Sequence, residues 1–369
     1  MRSRRRWAAA ALLTSVSVAL LAACGPSADK PAAATDLPSL ARARGIALGV
    51  EVDQTRFASV QYRNLVAENF TSITPNPGFK MKWVEVEPGT FDFHATDDFV
   101  NWAADNHLRV RACCLSWYIS DPAWVTSRKW TRPQLAQVLK TYITTVVSRY
   151  RGRVAEWDVV NEGLAPQGTT FALRKSIWER VLGPSYIALA FKWTHEADPE
   201  AQLYYNETSA EEPNEKFAVE YKMVQTLQRA GVPLTGVGLQ MHRRDLLIPT
   251  KKQVHTVLGA FAAIGVRTEI TEMDQGLPLP ASDSDLVAEG RNFQQMTEAC
   301  LLVRLCTGVT IWGVDDKSRY QQLINANRGA ATLFDRLEQP KPAYYGVRRA
   351  LQFGAGPTAA ARASPGSPA

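Results

Sequence analysis

Two runs decide the fold of this chain: GVGLQMH at residues 236–242 and RTEITEMD at residues 267–274. Each reads as a short strand that ends in polar residues, and residues 252–264 between them read as an amphipathic helix. Strand, helix, strand in that order is a βαβ unit, whose two strands must run parallel.

Working outward, the alternation continues in both directions. Candidate strands fall at residues 47–52, 72–74, 109–116, 155–160, 202–206, 236–240, 267–271 and 309–313. Helical spacing marks residues 97–107, 131–150, 185–197, 215–229, 252–264, 286–304 and 343–352. The clearest is 131–150, where Leu135, Val138, Leu139, Tyr142, Ile143, Val146, Val147 and Tyr150 recur at three- and four-residue steps; Thr131 can cap it, Pro133 suits its first turn and Gly152 ends it. Eight such strands predict the α/β class and a single-domain (β/α)8 TIM barrel over residues 39–353.

The ends have a different composition. Arg2, Arg4, Arg5 and Arg6 precede an apolar stretch that closes in LAACG at residues 21–25. This is the pattern of an export signal, and its ending resembles a bacterial lipobox, which implies cleavage after residue 23 and a lipid on the Cys24 thiol. The expected protein is therefore exported and membrane-anchored through Cys24, at the cell surface or in the periplasm, or else secreted. Residues 24–38 and 354–369 are rich in Ala, Pro, Gly and Ser, and read as a flexible tether and a disordered tail.

Loss of four arginines with the signal brings the formal net charge from +6 to +6 − 4 = +2, and no stripe of basic and aromatic residues suggests a nucleic-acid groove. Export permits disulfides, and Cys300 with Cys306 is the expected bridge, whereas Cys113 and Cys114 read as buried thiols. The histidines His94, His107, His195, His242 and His255 are dispersed, so no metal site and no cofactor are expected.

In a parallel barrel the active site lies where the strands end. Strand four ends in Asn161-Glu162, strand five in Asn206-Glu207, strand six in Gln240-Met241-His242, strand seven in Glu272-Met273-Asp274, and Trp312, Asp315 and Asp316 follow strand eight. Two carboxylates facing one another across the mouth are what glycoside hydrolysis needs, one to protonate the leaving oxygen and one to attack or to activate water. His242 and Asp274 are placed to support Glu272, and Asn161 to hold a sugar hydroxyl. Trp117 and Trp312 offer faces for sugar stacking.

The runs WDVVNE (157–162), GVGLQMH (236–242), ITEMD (270–274), TIWGV (310–314) and LFD followed by QPKPAYYGV (333–347) resemble glycoside hydrolase family 10 in order and spacing. The resemblance implies a retaining endo-β-1,4-xylanase acting on xylan, with Glu162 as acid/base and Glu272 as nucleophile. It further implies substrate contacts from Asn161, Gln240, His242, Lys82, Trp83, Trp117 and Trp312, support from Asp274, and the Cys300–Cys306 bridge. Departures cluster on the glycone side. Thr74-Pro75 is followed by NPGFK (76–80), about two residues longer than usual and without the usual Glu-Asn, Cys113 and Tyr118 replace histidines, and Tyr320 stands where a second tryptophan is common. The alternatives are a same-fold retaining glycosidase on another β-linked polysaccharide, or a non-catalytic glycan-binding lipoprotein at the cell surface.

Overall fold

The computed structural model describes residues 35–363, apart from 245, 319, 321, 322, 324 and 325. Eight parallel strands form its centre: β1 (Ala47–Asp53), β2 (Ser72–Asn76), β3 (Arg109–Ser116), β4 (Glu156–Asn161), β5 (Gln202–Glu207), β6 (Gly236–Leu239), β7 (Arg267–Gln275) and β8 (Cys306–Ile311). Each pairs with the next and β8 pairs back with β1, so the sheet closes. The (β/α)8 barrel predicted from the alternation is the fold observed.

Around it lie α1 (Leu37–Arg44), α2 (Val60–Asn69), α3 (His94–Asp105), α4 (Arg132–Arg149), α5 (Ser185–Ala197), α6 (Glu215–Arg229), α7 (Lys251–Ala263), α8 (Asp283–Leu301) and α9 (Pro342–Phe353). The helix α4 shows how sequence dictates element. Thr131 and Gln134 form a capping box, and Leu135, Leu139, Tyr142, Ile143, Val146 and Val147 are all buried on the face turned to the barrel. On the strands, outward residues such as Leu48, Val50 and Val52 join this helix-facing core.

The inward residues are unexpectedly polar. Arg111 on β3 is fully buried and pairs with Glu269 of β7 at 2.8 Å, with Glu156 of β4 at 3.3 Å and with Asp158, while its guanidinium lies 4.5 Å from the Tyr204 ring centroid. One cation thus holds three carboxyls in the barrel floor, helped by Arg109, which reaches Glu156 from the rim.

Two boundaries differ from the compositional reading. The helix α1 begins inside the expected tether, because Asp36 caps it (Ser39 N to Asp36 Oδ1, 2.8 Å) and Leu37, Leu40 and Ala41 are buried. In the expected tail, α10 (Ala359–Ala363) carries Arg362, which donates to the carbonyls of Leu301, Arg304 and Cys306 at 3.0, 2.8 and 2.7 Å. Those carbonyls lie at and just beyond the end of α8, where backbone acceptors lack helical partners, so one guanidinium outweighs the tether-like composition. The helix α2 also escaped the periodicity reading, since Tyr62 and Val66 are its two buried side chains.

Cys300 and Cys306 form the disulfide, joining α8 to β8, and Cys113 and Cys114 are buried free thiols. The export signal and Cys24 lie outside the described residues. Among the described residues no helix is long and apolar enough to cross a membrane, and no group of three or more His, Cys, Asp and Glu side chains could hold a metal ion.

Candidate active site

The barrel ladder continues into the mouth and fixes the height of each functional residue. Glu162 N donates to Asn206 O at 2.9 Å, Gln240 N to Glu207 O at 3.0 Å, Glu272 N to Gln240 O at 3.0 Å, and Trp312 N to Met273 O at 2.9 Å. Five strand ends, β4 to β8, are thereby locked to one another before any side chain is considered.

Irregularities then aim the side chains. The pairing of β4 with β5 slips between Asp158 and Val160, and that of β7 with β8 slips twice between Thr268 and Met273. As a result the neighbours Thr271 and Glu272 both reach the same amide, Asn206, which strict alternation would forbid. Glu162 (φ 52°) and Met241 (φ 65°) adopt left-handed backbone, a conformation that costs on the order of 1 kcal/mol for such residues and concentrates at functional sites.

One oxygen indexes both carboxyls. Asn161 Oδ1 accepts from Asn206 Nδ2 at 2.8 Å and from Gln240 Nε2 at 3.3 Å. The first of these amides also donates to Glu272 Oε1 at 2.7 Å, and the second to Glu162 Oε1 at 3.2 Å. Glu162 and Glu272 are therefore held relative to each other through three buried amides.

Their remaining neighbours differ. The other oxygen of Glu272 lies 3.0 Å from His242 Nε2, and His242 Nδ1 lies 3.0 Å from Asp274 Oδ1. Burial alone would lower the His242 pKa, but Asp274 and then Glu272 outweigh it and raise it to about 10, so the imidazole is a cation wedged between two carboxylates at neutral pH. Glu162 has the neutral Gln240 amide instead, and its own carbonyl accepts from Arg174 Nε at 2.9 Å. That guanidinium stacks 3.9 Å from the centroid of Tyr118, the tyrosine found where a histidine is usual.

A cavity of about 600 Å³ opens over this set, lined by Glu162, Gln240, His242, Arg243, Trp117 and Tyr320 among others. Tyr320 lies against His242 with ring centroids 4.5 Å apart, and Trp312 meets the same imidazole edge-on at 5.8 Å. Of the predicted residues, Glu162, Glu272, Asn161, Gln240, His242, Asp274, Trp117 and Trp312 thus come together.

Lys82 and Trp83 do not join them. Both are exposed and neither lines the cavity; the Lys82 ammonium lies 5.5 Å from the Trp83 ring centroid. The reason is local packing, since the helical turn Met81–Val84 buries Met81 and Val84 and turns the two residues between them outward. The lysine at this corner is Lys80, which is buried, bonds Asn76 Oδ1 at 2.6 Å and lies 5.5 Å from the Trp117 ring centroid. Asp315 and Asp316 also turn away from the site, to Arg56 at 2.7 Å and to Lys341 at 3.1 Å.

Asn206 and Arg174 were missed as site residues. Asn206 had a usable signal, because Asn206-Glu207 at the end of β5 repeats Asn161-Glu162 at the end of β4. Arg174 had none, since it follows an excursion of the chain, a hairpin of Leu164–Gln167 with Thr170–Leu173.

Comparison with known proteins agrees with this geometry. Residues 36–350 match the model of Glycosyl hydrolase family 10. An endo-1,4-beta-xylanase B of Thermotoga neapolitana is 35% identical over 295 residues, 79% of this chain and 84% of that protein. Xylanase 10B of Thermotoga maritima superposes with a TM-score of 0.82 at 33% identity, over 86% of this chain and 98% of that one. Xylanase 10B of Thermotoga petrophila, solved in complex with xylobiose, gives a TM-score of 0.83 at 34% identity over 86% and 97% of the two chains. A closed parallel barrel, a matched carboxyl pair at the ends of β4 and β7, and a family match across nearly all of the barrel lead to one assignment: the chain belongs to glycosyl hydrolase family 10.

Proposed function

We propose that the protein is a retaining endo-1,4-β-xylanase, with Glu272 as nucleophile and Glu162 as general acid and then base. In the first step a Glu272 oxygen bonds to the anomeric carbon of the glycone sugar as the bond to the departing oxygen breaks, and Glu162 gives that oxygen its proton. In the second, water loses a proton to Glu162 and adds to the same carbon, releasing Glu272. No cofactor enters either step.

The observation that carries the reading is the shared Asn161 oxygen, which ties each carboxyl to one reference point through a donated amide hydrogen bond. The His242 cation beside Glu272 supports a division of labour in which Glu272 works as the anion. Asn161 and Gln240 hold sugar hydroxyls near the reacting carbon, Trp117 and Trp312 form its apolar walls, and His242, with both ring N–H groups taken by Glu272 and Asp274, orients the nucleophile rather than the sugar. Family relatives named as endo-1,4-beta-xylanases make xylan the substrate of choice.

The test is the anomer first released from a xylo-oligosaccharide, followed by proton NMR. Release of the β-anomer is expected, and initial release of the α-anomer would remove Glu272 from the nucleophile's role. A reducing-sugar assay on xylan, mixed-linkage glucan, cellulose and mannan settles the sugar.

We also propose export, with a lipid on Cys24, on the strength of the LAACG run at residues 21–25. Mass spectrometry of the membrane fraction should find a diacylated or triacylated N-terminal Cys24 peptide. A free N-terminus in the culture fluid would argue for simple secretion.

A further inference from the structure

Near the mouth end of β1 lies a buried carboxyl that the mechanism above does not use. Glu51 sits on β1, in register with Thr74 of β2, and is 4% exposed. Its direction follows from Gly49, two residues earlier on the same face: a Cβ there would lie 2.4 Å from Thr310 Oγ1, and Thr310 in turn bonds Glu269 in the barrel floor. The row therefore faces the barrel interior, and Glu51 is its step nearer the mouth.

A polar chain fixes the carboxyl in place. Lys80 Nζ donates to Asn76 Oδ1 at 2.6 Å, and Asn76 Nδ2 donates to Glu51 Oε1 at 2.9 Å. Among the described residues no protein donor reaches the second oxygen, Oε2. Residues 74–80 themselves contain no acidic side chain, so this corner takes its carboxyl from β1. Burial, partly offset by Asn76, pushes the Glu51 pKa up to about 7. Such a carboxyl can donate as well as accept, which suits a sugar hydroxyl that does both. Glu272 has its own partners in Asn206 and His242, and Glu51 shares no hydrogen bond with it.

We propose that Glu51, positioned by Asn76 and Lys80, is a further substrate-binding residue that hydrogen-bonds a hydroxyl of the glycone sugar one unit beyond the sugar attacked by Glu272. The proposal rests on the xylanase reading. It assigns a specificity-determining role to a side chain on β1, a strand that contributes nothing to the bond-breaking set.

The experiment compares kcat/KM for p-nitrophenyl β-xylobioside and p-nitrophenyl β-xyloside, which differ by that one glycone unit, in wild type, Glu51→Ala and Glu51→Gln. With Ala, the ratio of the two values should fall by roughly tenfold to a hundredfold, the range for losing one hydrogen bond to a charged or strongly polar group. The loss should sit mainly in KM. With the isosteric Gln, which keeps one donor and one acceptor, the ratio should fall less than with Ala. Equal losses on both substrates, with the ratio within about twofold of wild type, would mean that Glu51 merely supports the barrel, and would overturn the proposal. If the Ala variant fails to fold, the Gln variant decides alone: a ratio lowered at least threefold sustains the proposal and an unchanged ratio ends it. Wild type that turned over neither glycoside would instead bring down the xylanase reading, and the role of Glu51 with it.

Discussion

The barrel carries two buried charge clusters at opposite ends of its interior, and they contrast in what surrounds them. In the floor, Arg111 meets Glu156, Asp158 and Glu269, all essentially without exposure. At the mouth, His242 meets Glu272 and Asp274, and the cavity opens directly above. Both clusters hold carboxyls close to a cation in a poorly solvated place. A cavity of about 430 Å³ at the floor end touches that cluster at Glu156 alone and leaves Arg111, Asp158 and Glu269 behind it, whereas the mouth cavity is lined by His242 and by the acid Glu162. Charge burial by itself does not mark a catalytic site; access does.

The sharpest way to break this contrast is to delete one member at each end. Glu272→Ala should lower kcat on aryl xylosides by at least about four orders of magnitude, because removing a nucleophile leaves only binding and the remaining electrostatics. Urea unfolding should change far less than the rate does. Were turnover to survive at a tenth of wild type, the mouth cluster would be as structural as the floor.

Glu162→Ala comes next and has a different signature. Hydrolysis of xylan should fall by roughly 10²- to 10⁴-fold, while aryl xylosides with very good leaving groups lose much less, since they need little proton donation. Parallel kinetics on substrates of graded leaving-group pKa check this, and a loss independent of leaving group would assign the acid elsewhere.

At the floor, Arg111→Met removes the shared cation and strands Glu156, Asp158 and Glu269 against one another. Breaking a buried pair in this way costs about 3–5 kcal/mol. Urea titration should show that loss, with kcat per folded molecule changed little. A stable Arg111→Met protein with collapsed kcat would mean that the floor tunes the mouth electrostatically.

The two ends were unequally legible in the sequence. The mouth could be read because each strand ends in polar residues where apolar ones stop, and Asn161-Glu162, Gln240-Met241-His242 and Glu272-Met273-Asp274 announce themselves in that way. The floor could not. Arg111, Glu156, Asp158 and Glu269 interrupt runs that otherwise count as strand, and their partners are up to 158 residues away, so periodicity gave no hint that they meet. The same limit explains the misplaced lysine. The family resemblance pointed to Lys82, but the inward lysine is Lys80, and the chain path that puts it there is set by packing of Met81 and Val84 that no local pattern reveals. Barrel, strand order and carboxyl pair were accessible; the bulges that let Thr271 and Glu272 share Asn206 were not.

The smallest predicted effect separates the clusters by pH. Burial, and then Glu156, raise the Glu269 pKa from 4.5 to about 8, so the folded protein holds a proton there that the unfolded chain has lost. A raised carboxyl contributes stability that is complete below about pH 4.5 and is lost as pH rises through about 8. His242 behaves with the same sign in a higher window: its contribution is complete below about pH 6.5 and is lost as pH rises through about 10, because the cation held by Asp274 and Glu272 is then discharged. Glu269→Gln should therefore flatten the fall in unfolding free energy between pH 5 and 8 by at least about 1 kcal/mol and leave the alkaline fall in place. His242→Gln should do the reverse and, because that imidazole touches Glu272, should also depress kcat. If Glu269→Gln altered the pH profile of kcat as well, the floor and mouth would be one electrostatic unit, and the separation between a structural cluster and a catalytic one would fail.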